Sequence, residues 1–201
     1  MSALLKPPKF ADDDAFLAWE EAQAERYEYV DGEVYAMVGA RLTHNTIVGN
    51  AQSWLRQALR GGPCRVYSEA VKLRVNERGN FLYPDILVTC DPRDRESAED
   101  RYIQFPWLVV EVLSESTAAY DRGRKFQLYR QSEALTHYLL VEQDRASADL
   151  FFKNAQGQWV LQAMGEGDQL TMERLGKPWP VMSLYEDIDF PTAPQTQAAT
   201  A

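Results

Sequence analysis

Histidine and cysteine are scarce in this chain of 201 residues, with two of each. His44 and His137 are too few for a histidine-rich transition-metal centre. Cys64 and Cys90 lack the close spacing of a zinc motif. With no hydrophobic leader in Met1-Ser-Ala-Leu-Leu-Lys6, they are expected to be reduced thiols of a cytoplasmic protein. No apolar run approaches the roughly 20 residues that cross a bilayer, so no membrane attachment is expected. Positive charge is also short: 21 Lys and Arg stand against 30 Asp and Glu, a net charge of -9. That balance argues against a protein that coats nucleic acid by bulk electrostatics, although a local basic patch stays compatible with it.

The composition that is present, 45% hydrophobic with 11% aromatic residues, suits a single folded domain with a sizeable core, assigned to residues 1–190. The tail 191–201, made of Pro, Thr, Gln and Ala, has too little apolar surface to offset its ordering entropy and is expected to be disordered. There is no internal repeat.

Three aspartates ahead of Phe16, Leu17 and Trp19 predict a leading helix over 12–24. Asp31-Gly32, between Tyr27–Val30 and Glu33–Met37, predicts a two-residue hairpin turn. Ile47, Val48, Ala51, Trp54, Leu55, Ala58 and Leu59 recur at helical spacing, and Gly61-Gly62-Pro63 ends that helix. Strands are expected over 65–75, 81–89 and 105–113, the last two dense enough in aliphatics to lie in a covered sheet. The charged stretch 91–101 reads as a solvated loop, 118–132 as a helix and 137–141 as a strand. A solvent-edged hairpin is expected over 148–162, and 184–190 should pack a last turn on the body. The fold class is therefore α/β (α+β), with a central mixed sheet flanked by helices and a β-hairpin towards each end.

Two acids stand inside apolar strands: Asp85, after Pro84, and Glu111, within Trp107-Leu-Val-Val-Glu-Val-Leu113. Removing an ionised carboxylate from water is costly, so a lone buried acid is protonated, paired or bound to a cation. Two acids sharing one place repel, which favours a shared proton or a divalent ion. Strand alternation puts Tyr83, Asp85, Leu87 and Thr89 on one face, and Trp107, Val109, Glu111 and Leu113 on one face of the later strand. If the strands are neighbours, the acids lie side by side. The plain alternative is that each acid faces the sheet surface or pairs with an arginine.

The order helix, three strands, helix, strand resembles the PD-(D/E)XK nuclease superfamily. More closely it resembles the Uma-type family of restriction-endonuclease-like bacterial proteins. The stretches that carry the resemblance are Tyr29-Val-Asp-Gly-Glu-Val-Tyr35, His44-Asn45, Tyr83-Pro-Asp85, Val109-Val-Glu-Val-Leu-Ser114, Asp121-Arg-Gly-Arg-Lys125 with Tyr129, and His137-Tyr-Leu-Leu-Val141. The resemblance implies a restriction-endonuclease-like core and hydrolysis of DNA phosphodiesters. It also implies a site in which Asp85 and Glu111 hold Mg²⁺ or Mn²⁺. The superfamily's lysine would stand two residues after the second acid, where this chain has Leu113. Lys125, four residues after Asp121, is the implied substitute; an exposed Asp-x-x-x-Lys ion pair is the plain reading of the same spacing.

His44 lies on or beside the buried stripe of its helix, either as a core histidine or as a partner of the acids or of phosphate. Glu33 matches a family position and is a candidate third acid, or else an exposed hairpin residue. Glu69 shares a strand face with Tyr67, Val71, Leu73 and Val75, where it either lines the cleft or pairs with an arginine. Lys72, Arg74, Arg122, Arg124 and Arg130 could rim a phosphate backbone, or merely keep the surface soluble. Arg124, beside Lys125, is the candidate nucleic-acid contact among them. Apolar surface around Phe151 and Trp159 suggests a homodimer. The rival function is an inactive nuclease fold acting as a nucleic-acid-binding or assembly module.

Overall fold

The Asp12 side chain accepts a hydrogen bond from the Ala15 N–H at 2.9 Å and starts helix α1, Asp13–Glu21, which buries Phe16 and Leu17. In this computed structural model the residues described are 9–37, 39–68, 70–77, 79–96 and 101–190. The expected tail 191–201 and the candidate Glu69 lie outside them. Strands β1, Tyr27–Val30, and β2, Glu33–Ala36, pair antiparallel across Asp31-Gly32. Both turn residues have positive φ, 51° and 88°, as a turn that follows strand twist requires. Helix α2, Leu42–Ala58, buries Ile47, Val48, Ala51 and Leu55 at the predicted spacing.

The strands expected over 65–75 and 81–89 each break in two. The first gives β3, Arg65–Ser68, and β4, Lys72–Arg74; the second gives β5, Phe81–Leu82, and β6, Ile86–Thr89. β3 pairs with β6, and β4 with β5. The ribbon thus passes from one sheet into another, and its second strand breaks at Tyr83-Pro84-Asp85, where Pro84 has no N–H to give a ladder. Asp85 therefore stands in the bend before β6 rather than within a strand.

Further along come β7, Tyr102–Ile103, and β8, Pro106–Leu113, the latter buried at every residue. A helical run, here α3, joins α-helical Ala118–Tyr120, a π-helical turn Asp121–Lys125 and α-helical Phe126–Tyr129. Then follow β9, His137–Glu142, β10, Ser147–Lys153, and β11, Trp159–Gly165. A small ladder of β12, Gln169–Leu170, and β13, Trp179–Pro180, comes last, with a turn at Val181–Tyr185. The six-stranded sheet has the order β11-β10-β9-β8-β6-β3, and the five-stranded sheet β2-β1-β5-β4-β7. β8 and β9 run parallel and their neighbours antiparallel, so the central sheet is mixed, as expected. Ile86, Val88, Val110, Val112 and Leu139 pack with the buried stripe of α2, while Leu87, Val109, Leu113 and Leu140 pack with Leu128 and Tyr129 of α3. Covering both faces explains the unbroken apolar runs, and each fully buried Leu or Val contributes about 1.5–3 kcal/mol.

Three expectations need correction. Trp107 joins Leu108 and Val110 on the α2 side instead of sharing the face of Val109. The pairing runs Val88↔Leu108 and then Thr89↔Pro106, a bulge that adds one residue and flips everything before it. The stretch 91–101 is not wholly solvated: Asp94 is buried and accepts hydrogen bonds from the Gln104 N–H and the Thr89 hydroxyl. Cys64 and Cys90 are not free thiols but a disulfide. The register Arg65↔Thr89 sets the two residues opposite each other one step beyond the ladder.

Candidate active site

Ile86 pairs with Val110, and one further step along that antiparallel register sets Asp85 opposite Glu111. Residues directly opposite in an antiparallel pair point to one side, so the two acids meet. Asp85 Oδ2 accepts the Val112 N–H at 2.7 Å and lies 3.2 Å from His44 Nε2 in the first turn of α2. The Asp85 side chain is 19% exposed and forms the open end of the site. Glu111 is only 3% exposed. Its Oε1 accepts from Lys125 Nζ at 2.8 Å and from the Tyr129 hydroxyl at 2.6 Å.

Lys125, at the end of the π-helical turn, reaches Glu111 and also lies 3.8 Å from the Asp121 carboxylate at the start of that turn. Such turns recur at functional sites because they re-aim side chains. Lys125 Nζ is also 3.5 Å from Glu28 Oε1, which accepts the Tyr83 N–H at 3.0 Å. Three carboxylates, Glu28, Glu111 and Asp121, thus gather about one ammonium, with Asp85 opposite Glu111. Burial, helped by the charges of Asp85 and Asp121, pushes the Glu111 carboxyl well above its usual range despite Lys125. Burial likewise raises Asp121. Burial opposes the Lys125 charge, but Glu111, Glu28 and Asp121 outweigh it and hold its pKa well above the lysine range. The Glu111 shift is chiefly the cost of burying its charge, and the Lys125 shift the pull of its three carboxylates.

Asp85, Glu111, Lys125 and His44 are therefore brought together. Leu113 is buried in the apolar cluster beneath α3, so the ammonium at Glu111 comes from the helix. Glu33 is exposed on β2, where it accepts from the Tyr35 hydroxyl. Arg124 is exposed and paired with Asp31 of the hairpin turn. The other basic candidates are also engaged: Lys72 with Glu20, Arg74 with Asp13, Arg122 with Glu142 and Asp149, and Arg130 over the Phe126 ring. Sequence reasoning passed over Glu28 and Tyr129 as site members. Glu28, a carboxylate between two tyrosines on a short strand, meets the criterion that singled out Asp85 and Glu111.

Among the described residues no three His, Cys, Asp or Glu side chains form a metal cage. Zinc or calcium would demand one. Mg²⁺ is held by one or two carboxylates and keeps several waters, so an adjacent Asp–Glu pair with one solvent-facing member fits it.

A mixed sheet flanked by two helices, with paired acids at its centre and a lysine on the crossover helix, defines a restriction-endonuclease-like protein. The family model described as "Uma2: Putative restriction endonuclease" matches residues 13–179, and the chain belongs to that family. Among its relatives, the uncharacterised protein slr1290 of Synechocystis is 39% identical, covering 91% of this chain and 95% of its own. The uncharacterised protein sll1609 of the same organism is 28% identical, over 77% and 88%. The crystal structure of "a putative nuclease belonging to DUF820" from Anabaena variabilis superimposes with a TM-score of 0.72 at 13% identity, over 90% of this chain and 98% of that one. That likeness shows the shared fold.

Proposed function

We propose that this protein is a metal-dependent endonuclease that hydrolyses DNA phosphodiester bonds at Asp85, Glu111 and Lys125. The observation that carries the reading is the convergence of Asp85, in the bend before β6, strand-borne Glu111 and one helix-borne ammonium, 2.8 Å from Glu111. Mg²⁺ or Mn²⁺ held by Asp85 and Glu111 would make a water nucleophilic near neutral pH and offset charge on the phosphate. The Val112 N–H and His44 fix the Asp85 carboxylate, and the Tyr129 hydroxyl fixes Glu111. Lys125, kept charged by its acids, supplies a donor for charge developing on the phosphate oxygens. α2 begins with no side-chain cap at Arg41, so its positive end, beside Asp85, favours an anionic group there.

A cytoplasmic location, where the DNA would be met, belongs to the same reading, as does a homodimer. No helix among the described residues is long and apolar enough to cross a membrane. Phe151 and Trp159 pack on Phe126, so the apolar surface that the hairpin offers is instead Val160 and Leu161 on edge strand β11. That strand carries no charge, which supports pairing of two copies there. Leu113, buried where the superfamily has lysine, favours the second reading, an inactive nucleic-acid-binding or assembly module.

The test is cleavage of plasmid and oligonucleotide DNA with Mg²⁺ or Mn²⁺. Wild-type protein should cut, Asp85→Ala and Glu111→Ala should abolish cutting, and Lys125→Met should slow it by roughly a hundredfold or more. Undiminished cutting by both acid variants would overturn the assignment, and no cutting by wild type would favour the module.

A further inference from the structure

Among the described residues, two aromatic side chains are more than a third exposed: Tyr35, at 48%, and Tyr120, at 37%. Both stand at the site. Tyr35 pairs across the hairpin with Glu28, so the two share one face, with Glu28 reaching inward to Lys125 and Tyr35 remaining outside. Tyr120 immediately precedes Asp121 at the start of the π-helical turn. Each tyrosine is therefore one cross-strand or chain step from a carboxylate that touches Lys125, at 3.5 and 3.8 Å. The Arg124–Asp31 ion pair ties the helix to the hairpin turn, so the tyrosines stand on two elements that are fastened together. The Tyr35 hydroxyl donates to Glu33 at 2.8 Å, which orients its ring. The Tyr120 hydroxyl is pushed up to about 12 by burial and then by the Glu28 charge, which agrees with a ring beside the acids. Leu42, 89% exposed, stands two residues before His44.

Electrostatics gives little support to the usual means of holding a duplex. Duplex affinity comes mainly from Lys and Arg that neutralise phosphates. Here Arg124 and Arg122 are committed to carboxylates, and the chain carries -9 overall. Affinity for nucleic acid must then come largely from elsewhere, and exposed aromatic rings supply it by stacking on unpaired bases. Bases within a duplex already stack on one another and gain little from such rings.

From this geometry we infer that the site takes an unpaired DNA strand, with Tyr35 and Tyr120 as the platforms on which bases flanking the reacting phosphate stack. The inference rests on the nuclease reading for the chemistry, and on the two tyrosines for the choice of strand.

The experiment measures fluorescence anisotropy of a labelled oligonucleotide, single-stranded and as the matching duplex, with a chelator in place of Mg²⁺ so that neither DNA is cut. Wild type, Tyr35→Ala/Tyr120→Ala and Tyr35→Phe/Tyr120→Phe are compared, followed by Mg²⁺-dependent cleavage of the same DNAs. Wild type should bind the single strand roughly tenfold or more tighter than the duplex. The alanine pair should lose roughly tenfold or more of that affinity, and the phenylalanine pair, which keeps both rings, should retain it. Equal or tighter duplex binding, or unchanged binding by the alanine pair, overturns the inference. Duplex cutting that is indifferent to the tyrosines would overturn it while upholding the nuclease reading. Tyrosine-dependent strand binding with no cutting of either DNA would uphold the platforms and overturn the hydrolysis.

Discussion

Glu111 and Lys125 are the two residues whose replacement separates the site's chemistry from its stability. Breaking a buried ion pair by removing its cation leaves uncompensated carboxylates, so Lys125→Met should destabilise the fold by about 3 kcal/mol. Glu111→Gln replaces a carboxyl whose charge burial disfavours with a neutral group of the same shape and should leave stability equal or higher. Its pH dependence follows from linkage. The folded Glu111 pKa lies above its ordinary value of 4.5, so the folded state holds the proton more tightly than the unfolded chain. Stability is then lost as pH rises from the unfolded towards the folded pKa. Glu111→Gln should therefore gain on wild type as pH rises above the ordinary glutamate pKa of 4.5. Urea unfolding across a pH series from that point upwards checks this, and a variant that falls further behind as pH rises would contradict it. At this scale Asp85 and Glu111 were legible because an acid amid apolar residues is costly, although Asp85 stands in a bend and not in the strand. Glu28 obeyed the same rule, but the hairpin suggested an exposed strand and hid it.

At the scale of elements, the helix periods and the Asp-Gly hairpin were legible, since each depends on neighbours within a few residues. The breaks in the two central strands were not. Pro84 marks one of them, but that the ribbon crosses between sheets depends on β1, β7 and β8 taking the free edges. The bulge at Trp107 was hidden for the same reason, because it exists only in the pairing with β6. The π-helical turn was invisible as well: Asp-x-x-x-Lys reads as an ordinary i,i+4 pair, and packing decides the widening. Two glycines test the local geometry. Gly123, inside that turn, has open space where a Cβ would stand, and Gly123→Ala should stabilise by roughly 0.5–1 kcal/mol. Gly79 has φ +78°, and a Cβ there would lie 1.9 Å from Asp13 Oδ1, in the carboxylate that holds Arg74. Gly79→Ala should cost about 1–2 kcal/mol from backbone strain alone. Thermal denaturation of both variants reads the opposite signs; two changes of the same sign would contradict the account.

The whole molecule brings together what neither scale holds alone. The parallel β8–α3–β9 unit carries Lys125 over the strand that holds Glu111, and the β3–β6 ribbon carries Asp85 to the same place. The resemblance anticipated this order of elements. It did not anticipate the Cys64–Cys90 bridge, whose partners are 26 residues apart and meet only through the β3–β6 register. Nor did it anticipate that most candidate basic residues would be engaged by acids, which a net charge of -9 makes understandable. The central claim is that Asp85 and Glu111 jointly hold one divalent cation beside Lys125. Calorimetric titration of wild type, Asp85→Asn and Glu111→Gln with Mn²⁺ tests it most directly. The account predicts one bound ion per chain in wild type and loss of binding in each variant; uptake undiminished in both variants, or none in wild type, would contradict it.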